Sequence, residues 1–328
     1  MRARSAFAAT AVVLFCSASA AAAQKTSPRD AMLVSTSWLA EHLKDPNVVI
    51  LHVGDPAKYE AAHIPGAQLM QLMDLSVSDF SEMKGMPGME MPKPPIEGPK
   101  NGLSLEMPTP EQLRSQLEKF GISNNTKIVV YEANLWLSPS TRTVFALDYA
   151  GLGKNTVVLD GGLAAWTREN REVTNVVPSA VKPGKLSPLA IKPIVASAEF
   201  VRDRVGKRGY AVIDARAASF YDGVPQSRGE PKRYGHIAGA KSLPFDSMHD
   251  QETGALKPAP ELLALLTKAG VQAGDTVIAY CHVGGQATTV LFAARTLGYP
   301  VLLYDGSWND WDKRDASFPV ENPSAKKP

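Results

Sequence analysis

One stretch of sequence is present twice in this chain, and that repeat limits the fold more than any other feature. VVILHVGD (48–55) is matched by YAVIDARA (210–217), and AAHIPGA (61–67) by YGHIAGA (234–240). TPEQLRSQLEKFGI (109–122) is matched by APELLALLTKAGV (259–271), KIVVYEA (127–133) by TVIAYCH (276–282), and VVLDGGLAAW (157–166) by LLYDGSWNDW (302–311). The order is the same in both copies, so two copies of one unit must each close a core of their own, and 328 residues suffice for two. Short apolar runs of strand type alternate with helical periodicity, which predicts an α/β fold: two domains, each a mostly parallel sheet with helices on both faces. The domains are expected at 30–172 and 196–321, joined by a Pro- and Ser-rich linker at 173–195. Within the first copy, 82–108 is an insertion with five Met and several Pro and Gly. It reads as a low-complexity surface loop, with soft Cu(I) binding through thioethers as the alternative.

The chemistry concentrates in TVIAYCHVGGQATTVLFAARTLG (276–298). Thr276 to Tyr280 suits a buried strand, and the apolar spacing from about Gln286 to Leu297 suits a helix. Between them a loop opens on Cys281 and contains Gly284 and Gly285, which let the backbone curl inward. Cys281 is thereby placed among backbone N–H groups at the positive end of a helix, a setting expected to lower the thiol pKa and favour a nucleophile. A buried inert cysteine is the bland alternative.

The N-terminus reads as a processing signal. Arg2 and Arg4 precede a short apolar run from Phe7 to Phe15 and an Ala-rich stretch to Ala23, so 1–23 is expected to be cleaved and the chain exported to a periplasm or secreted. Lipidation of Cys16 is a weaker alternative, because Phe15 is bulky where small residues are wanted. Loss of Arg2 and Arg4 would bring the basic residues level with the acidic ones, leaving nothing that argues for nucleic acid or stable membrane association. It would also remove Cys16, leaving Cys281 alone in an oxidising compartment and better read as reactive than structural.

Two copies with an H-I-x-G-A turn and a D-G-[GS]…W segment, and a Cys loop in the second copy alone, resemble the tandem rhodanese family of sulfurtransferases from about Val34 to Val320. The resemblance implies two rhodanese-like domains and an attack by Cys281 on the sulfane sulfur of thiosulfate or 3-mercaptopyruvate. A persulfide would then pass its sulfur to cyanide, a thiol or a protein acceptor, with no metal or organic cofactor. N–H groups of the loop His282, Val283, Gly284, Gly285, Gln286 and Ala287 would hold the anionic persulfide. The first copy carries Glu132 where the second has Cys281, so it is expected to be inactive, its carboxylate repelling anions and its loop about four residues longer.

Asp214 and Arg216 close a strand where α/β sites gather polar groups, and read equally as an ion pair or a substrate contact. His63 and His236 recur in both copies and are expected to stabilise turns. Trp308 is expected to pack, with a place at the pocket edge as the alternative, and His282 to offer positive charge if protonated. Family members commonly carry an Arg where this chain has Phe220, so Arg228 and Arg233 become the candidate anion-binding residues, together with Arg216. The alternatives from other classes are a non-turnover sulfur carrier or redox sensor, and a Cys-loop phosphatase. The phosphatase would need an Arg at position 287, which is Ala.

Overall fold

A computed structural model of the chain describes residues 27–79, 94–178, 181–225 and 231–325. The signal-like residues 1–23, four of the five Met of the insertion, and Arg228 lie outside them. The first copy runs α1 (Pro28–Met32), β1 (Leu33–Val34), α2 (Thr36–His42), β2 (Val48–Val53), α3 (Pro56–Ala61), β3 (Gln68–Met70), α4 (Pro110–Lys119), β4 (Lys127–Glu132), α5 (Ser138–Tyr149), β5 (Thr156–Leu159) and α6 (Gly162–Arg168). The second runs β6 (Val195–Ala196), α7 (Ala198–Arg204), β7 (Tyr210–Asp214), α8 (Ala218–Tyr221), β8 (His236–Ile237), β9 (Lys241–Ser242), α9 (Ala259–Lys268), β10 (Thr276–Tyr280), α10 (Ala287–Thr296), β11 (Val301–Tyr304), α11 (Ser307–Trp311) and β12 (Val320–Glu321).

Each copy builds a five-stranded parallel sheet, in the orders β1-β5-β4-β2-β3 and β6-β11-β10-β7-β9, which correspond strand for strand. Their central strands are near-continuous apolar runs because both faces are covered. Alternate residues go to different cores. Ile128 and Val130 of β4 join one cluster and Val129 and Tyr131 another, while Val277 and Ala279 of β10 join the first and Ile278 and Tyr280 a third. The first cluster is shared by both copies, so one continuous core spans the domain interface. At its centre α5 and α10 are buried nearly all round, and their hydroxyls meet: Ser138 with Thr289 at 2.9 Å and Thr141 with Thr288 at 3.0 Å. Among the described residues no helix is long and apolar enough to cross a membrane.

The Asp of each D-G segment ties its domain to the other. Asp160 accepts the Leu256 N–H at 3.0 Å and Asp305 the Met107 N–H at 2.8 Å. Two expectations change accordingly. The end of the insertion is docked: Glu106 pairs with Val77, and the Gly102 carbonyl accepts from Asn309 of the second domain at 2.9 Å. The described residues of the 173–195 segment lack regular structure up to β6 but are fastened to the first domain, with Thr174 bridged to His63, Leu186 buried, and the Gly184 N–H donating to the Glu118 carbonyl at 2.7 Å.

The loops that follow Glu132 and Cys281 are also equal in length. Five residues separate Glu132 from α5 and five separate Cys281 from α10. The four extra residues of the first copy lie further on, two in a helix of 12 against 10 residues and two in the connection that follows it. Matching blocks on either side of an insertion bound its size but not its position.

Candidate active site

The loop Cys281–Gln286 is pinned at its base by the start of α11. Trp308 N–H donates to the Cys281 carbonyl at 3.0 Å and Asn309 N–H to the His282 carbonyl at 3.1 Å. The Cys281 N–H donates to Ser307 Oγ at 3.2 Å, and that hydroxyl donates to the Tyr304 carbonyl. Ser307 has φ +52°, a left-handed backbone uncommon outside glycine, while its counterpart Gly162 has φ +53°. The second copy accepts this strain and gains a hydroxyl on the nucleophile's own amide. At Gly284 a Cβ would lie 2.7 Å from Asp305 Oδ1, so the loop closes on Asp305 only because this residue has no side chain.

Cys281 is 1% exposed. The N–H groups of Val283, Gly284, Gln286 and Ala287 all donate toward its sulfur and favour the thiolate. Burial acts in the opposite direction and prevails, holding the thiol above its ordinary 9.0. The lowered pKa expected from the loop pattern is therefore overturned: removing the anion from water outweighs four aligned dipoles. Those dipoles remain in place for the negative charge of a persulfide.

Cys281 opens into a cavity of about 260 Å³ between the domains. The second domain contributes His282, Val283, Gly285 and Gln286, and the first contributes Leu72, Leu105, Trp136, Ser138 and Pro139. Of the arginine candidates, Arg216 and Arg233 do not line it, and Arg228 lies outside the described residues. Arg216 is 2% exposed, donates to Asp214 Oδ2 at 2.6 Å and to the Gly235 carbonyl at 2.7 Å, and lies 4.4 Å over the Trp308 ring. Asp214 further accepts the Tyr280 hydroxyl at 2.8 Å, and that oxygen accepts the Ile237 N–H. Asp214, Arg216 and Trp308 thus form a brace behind the nucleophile, not a substrate contact. Arg233, expected to bind an anion, donates from each of its three guanidinium nitrogens to the carbonyls of Trp311, Asp312 and Phe318, holding the end of α11. His236 lies stacked on Tyr221 and is hydrogen-bonded to its carbonyl at 2.7 Å, while His63 does the same on Tyr59.

His282 sits edge-on to Phe220 at 4.5 Å. Burial, then the nearby Arg216 charge, lowers it to about 4, so it is neutral at physiological pH and brings no positive charge to a donor. Several residues that matter here carried little signal in the sequence. Ser307 was detectable as the change from D-G-G to D-G-S, whereas Arg142, Leu105 and Trp136 reach the site from the other domain.

Glu132 occupies the Cys281 position of the first copy and is buried, accepting a hydrogen bond from Ser140. Burial raises its carboxyl from 4.5 to about 8, so it is protonated near neutrality and not the repelling carboxylate expected from sequence. Unfolded, it ionises near 4.5, and folded it keeps its proton to about 8; across that window the folded state binds more protons and stability falls as pH rises. Glu132→Gln is expected to flatten that slope and to exceed wild type at pH 8 by on the order of 4 kcal/mol, with sulfur transfer within a few-fold. Denaturant melts at pH 5 and pH 8 check this, and parallel pH slopes for the two proteins would refute it.

The chain matches the Rhodanese-like domain twice, over residues 35–169 and 197–314. It is 32% identical over 298 residues to the Sulfur carrier protein TtuD of Thermus thermophilus, covering 85% of this chain and 93% of that protein. It is 28% identical to the Thiosulfate sulfurtransferase of Rattus norvegicus, covering 86% of this chain and 92% of the relative. The crystal structure of SseA from Escherichia coli, a 3-mercaptopyruvate sulfotransferase of the rhodanese fold, superimposes with a TM-score of 0.65 at 27% identity, covering 84% of this chain and 98% of that one.

Proposed function

The chain belongs to the rhodanese-like family and is a sulfurtransferase, and from that premise we propose that sulfur passes through a persulfide on Cys281. The donor is thiosulfate or 3-mercaptopyruvate and the acceptor a thiophile such as cyanide or a thiol. The observation that carries this reading is the Cys281 sulfur opening into a cavity while four backbone N–H groups converge on it. With thiosulfate, the Cys281 thiolate bonds the outer sulfur and the S–S bond breaks with its electron pair leaving on sulfite. With 3-mercaptopyruvate, the C–S bond breaks and its pair remains on carbon, which takes up the thiol proton to give pyruvate. The converging N–H groups then hold the Cys281 persulfide anion until the acceptor attacks its terminal sulfur.

Thiocyanate formation from cyanide, with each donor supplied separately, tests the proposal. Turnover with either donor is the expected result. A thiol that alkylates readily while neither donor is turned over would overturn it. A protein acceptor, with Cys281 a carrier that does not turn over small donors, would then be favoured, a reading supported by exposed Leu135 and Trp136 near the cavity and by the carrier relative.

A further inference from the structure

Resting on the sulfurtransferase reading, we infer that Thr288 and, through it, Thr141 of the first domain are positioning residues for sulfur transfer, their hydroxyls turning one loop peptide so that its N–H points at the reacting sulfur. Each N–H that converges on Cys281 belongs to a planar trans peptide, whose carbonyl points the opposite way. Fixing that carbonyl therefore aims the N–H. The His282 carbonyl shares a peptide with the Val283 N–H and accepts from the Asn309 N–H. The Gln286 carbonyl is paired in the same way with the Ala287 N–H and accepts from the Thr289 N–H at 3.0 Å. The Gly285 carbonyl is held twice. It accepts the Thr288 N–H at 3.2 Å and the Thr288 hydroxyl at 2.6 Å, and its peptide presents the Gln286 N–H to the sulfur.

The Thr288 hydroxyl is itself directed from the other domain. A hydroxyl has one proton, and that of Thr288 goes to a carbonyl, which can only accept. Thr141 Oγ1 lies 3.0 Å from Thr288 Oγ1, so the proton between the two oxygens belongs to Thr141. A hydroxyl that accepts a hydrogen bond donates a stronger one. A relay thus runs from α5 through Thr141, Thr288 and the Gly285–Gln286 peptide to Cys281, with both threonines 1% exposed. The first copy supplies the contrast. Its loop is of equal length, so Pro139 stands where the second copy has Thr288, and proline offers neither the hydroxyl nor the N–H. The carbonyl clamp accompanies the thiol and does not accompany Glu132.

The experiment measures kcat and KM for thiocyanate formation with thiosulfate and with 3-mercaptopyruvate, and the pH profile of Cys281 alkylation by iodoacetamide. The proteins are wild type, Thr288→Val, Thr288→Ser, Thr141→Val and the double valine variant. Valine keeps the branched shape, and in Thr288→Val the Thr141 proton still has the Ser138 carbonyl at 3.1 Å. The ionisable side chains packed around the loop, among them Asp214, Arg216, His282, Arg142 and Asp305, are untouched by these substitutions. Thr288→Val is expected to lower kcat about tenfold with either donor while KM stays within about twofold, because the relay acts on charge at the sulfur and not on the donor. Its alkylation midpoint moves to higher pH, since a weaker N–H bond to the thiolate favours the thiol. Thr288→Ser should return kcat to within about twofold of wild type, Thr141→Val should lower it about threefold, and the double variant should fall no lower than Thr288→Val. Wild-type kcat and alkylation in Thr288→Val, no rescue by serine, or full additivity in the double variant refutes the relay and leaves the sulfurtransferase reading intact. If Thr288→Val does not fold, Thr141→Val decides alone, and an unchanged kcat and alkylation profile refutes the relay. A wild-type protein that turns over neither donor overturns both.

Discussion

Cys281→Ser is expected to lower thiocyanate formation by at least about a thousandfold with either donor, while its melting temperature stays close to wild type. The side chain is 1% exposed and belongs to the core shared by the two domains, so a nearly isosteric replacement leaves the packing unchanged. The serine hydroxyl has the same loop N–H groups around it, which satisfies a polar atom that would otherwise be buried unpaired. What it lacks is nucleophilicity toward divalent sulfur and the ability to hold a sulfane atom in a bond that the acceptor can break. The single-turnover form of the experiment is the more discriminating one. Mass spectrometry after mixing with donor should show one added sulfur on wild type and none on the variant. Residual turnover within tenfold of wild type would end the persulfide mechanism.

Arg142→Met has the second largest expected effect, and it acts across the domain interface. Arg142 of α5 donates to Asp305 Oδ1 at 2.7 Å, with both side chains almost fully buried. Removing one partner leaves Asp305 charged without its counter-ion, which costs about 3–5 kcal/mol. The melting temperature is expected to fall by roughly 10 °C, given about 2–4 °C per kcal/mol for domains of this size. Catalysis should suffer as well, because Asp305 Oδ1 is the atom beside Gly284 and the Arg142 charge is what stabilises it there. A released carboxylate next to the loop opposes the negative charge of the persulfide. In contrast, Arg142→Met combined with Asp305→Leu removes both charges and should recover most of the lost stability. A single variant melting within 2 °C of wild type would show that the pair contributes little.

The repeat, the Cys281 loop and the turn histidines were legible because each is a local pattern. A strand of five residues, all but Thr276 apolar, a loop opening on Cys, two glycines and a helix are contiguous, and Thr276–Tyr280 and Ala287–Thr296 are where the periodicities put them. His63 and His236 could be read as turn residues because they recur in a copy without a nucleophile. Arg216 and Arg233 were misassigned for a physical reason: a basic residue near a site in sequence bears no mark of its partner. Arg233 meets carbonyls nearly 80 positions or more away, at Trp311, Asp312 and Phe318.

Sequence alone determined the two-domain α/β architecture, the strand–loop–helix setting of Cys281 and the lack of a thiol in the first copy, since hydrophobic period and residue type settle those matters within a few turns of chain. Tertiary structure decided the site's walls and its electrostatics. Arg142 and Asp305 are 163 positions apart, and Leu105 and Trp136 reach the cavity only because α5 and α10 pack together. The direction of the Cys281 pKa was likewise beyond the sequence, because loop dipoles follow from local geometry whereas desolvation depends on everything that closes around the sulfur.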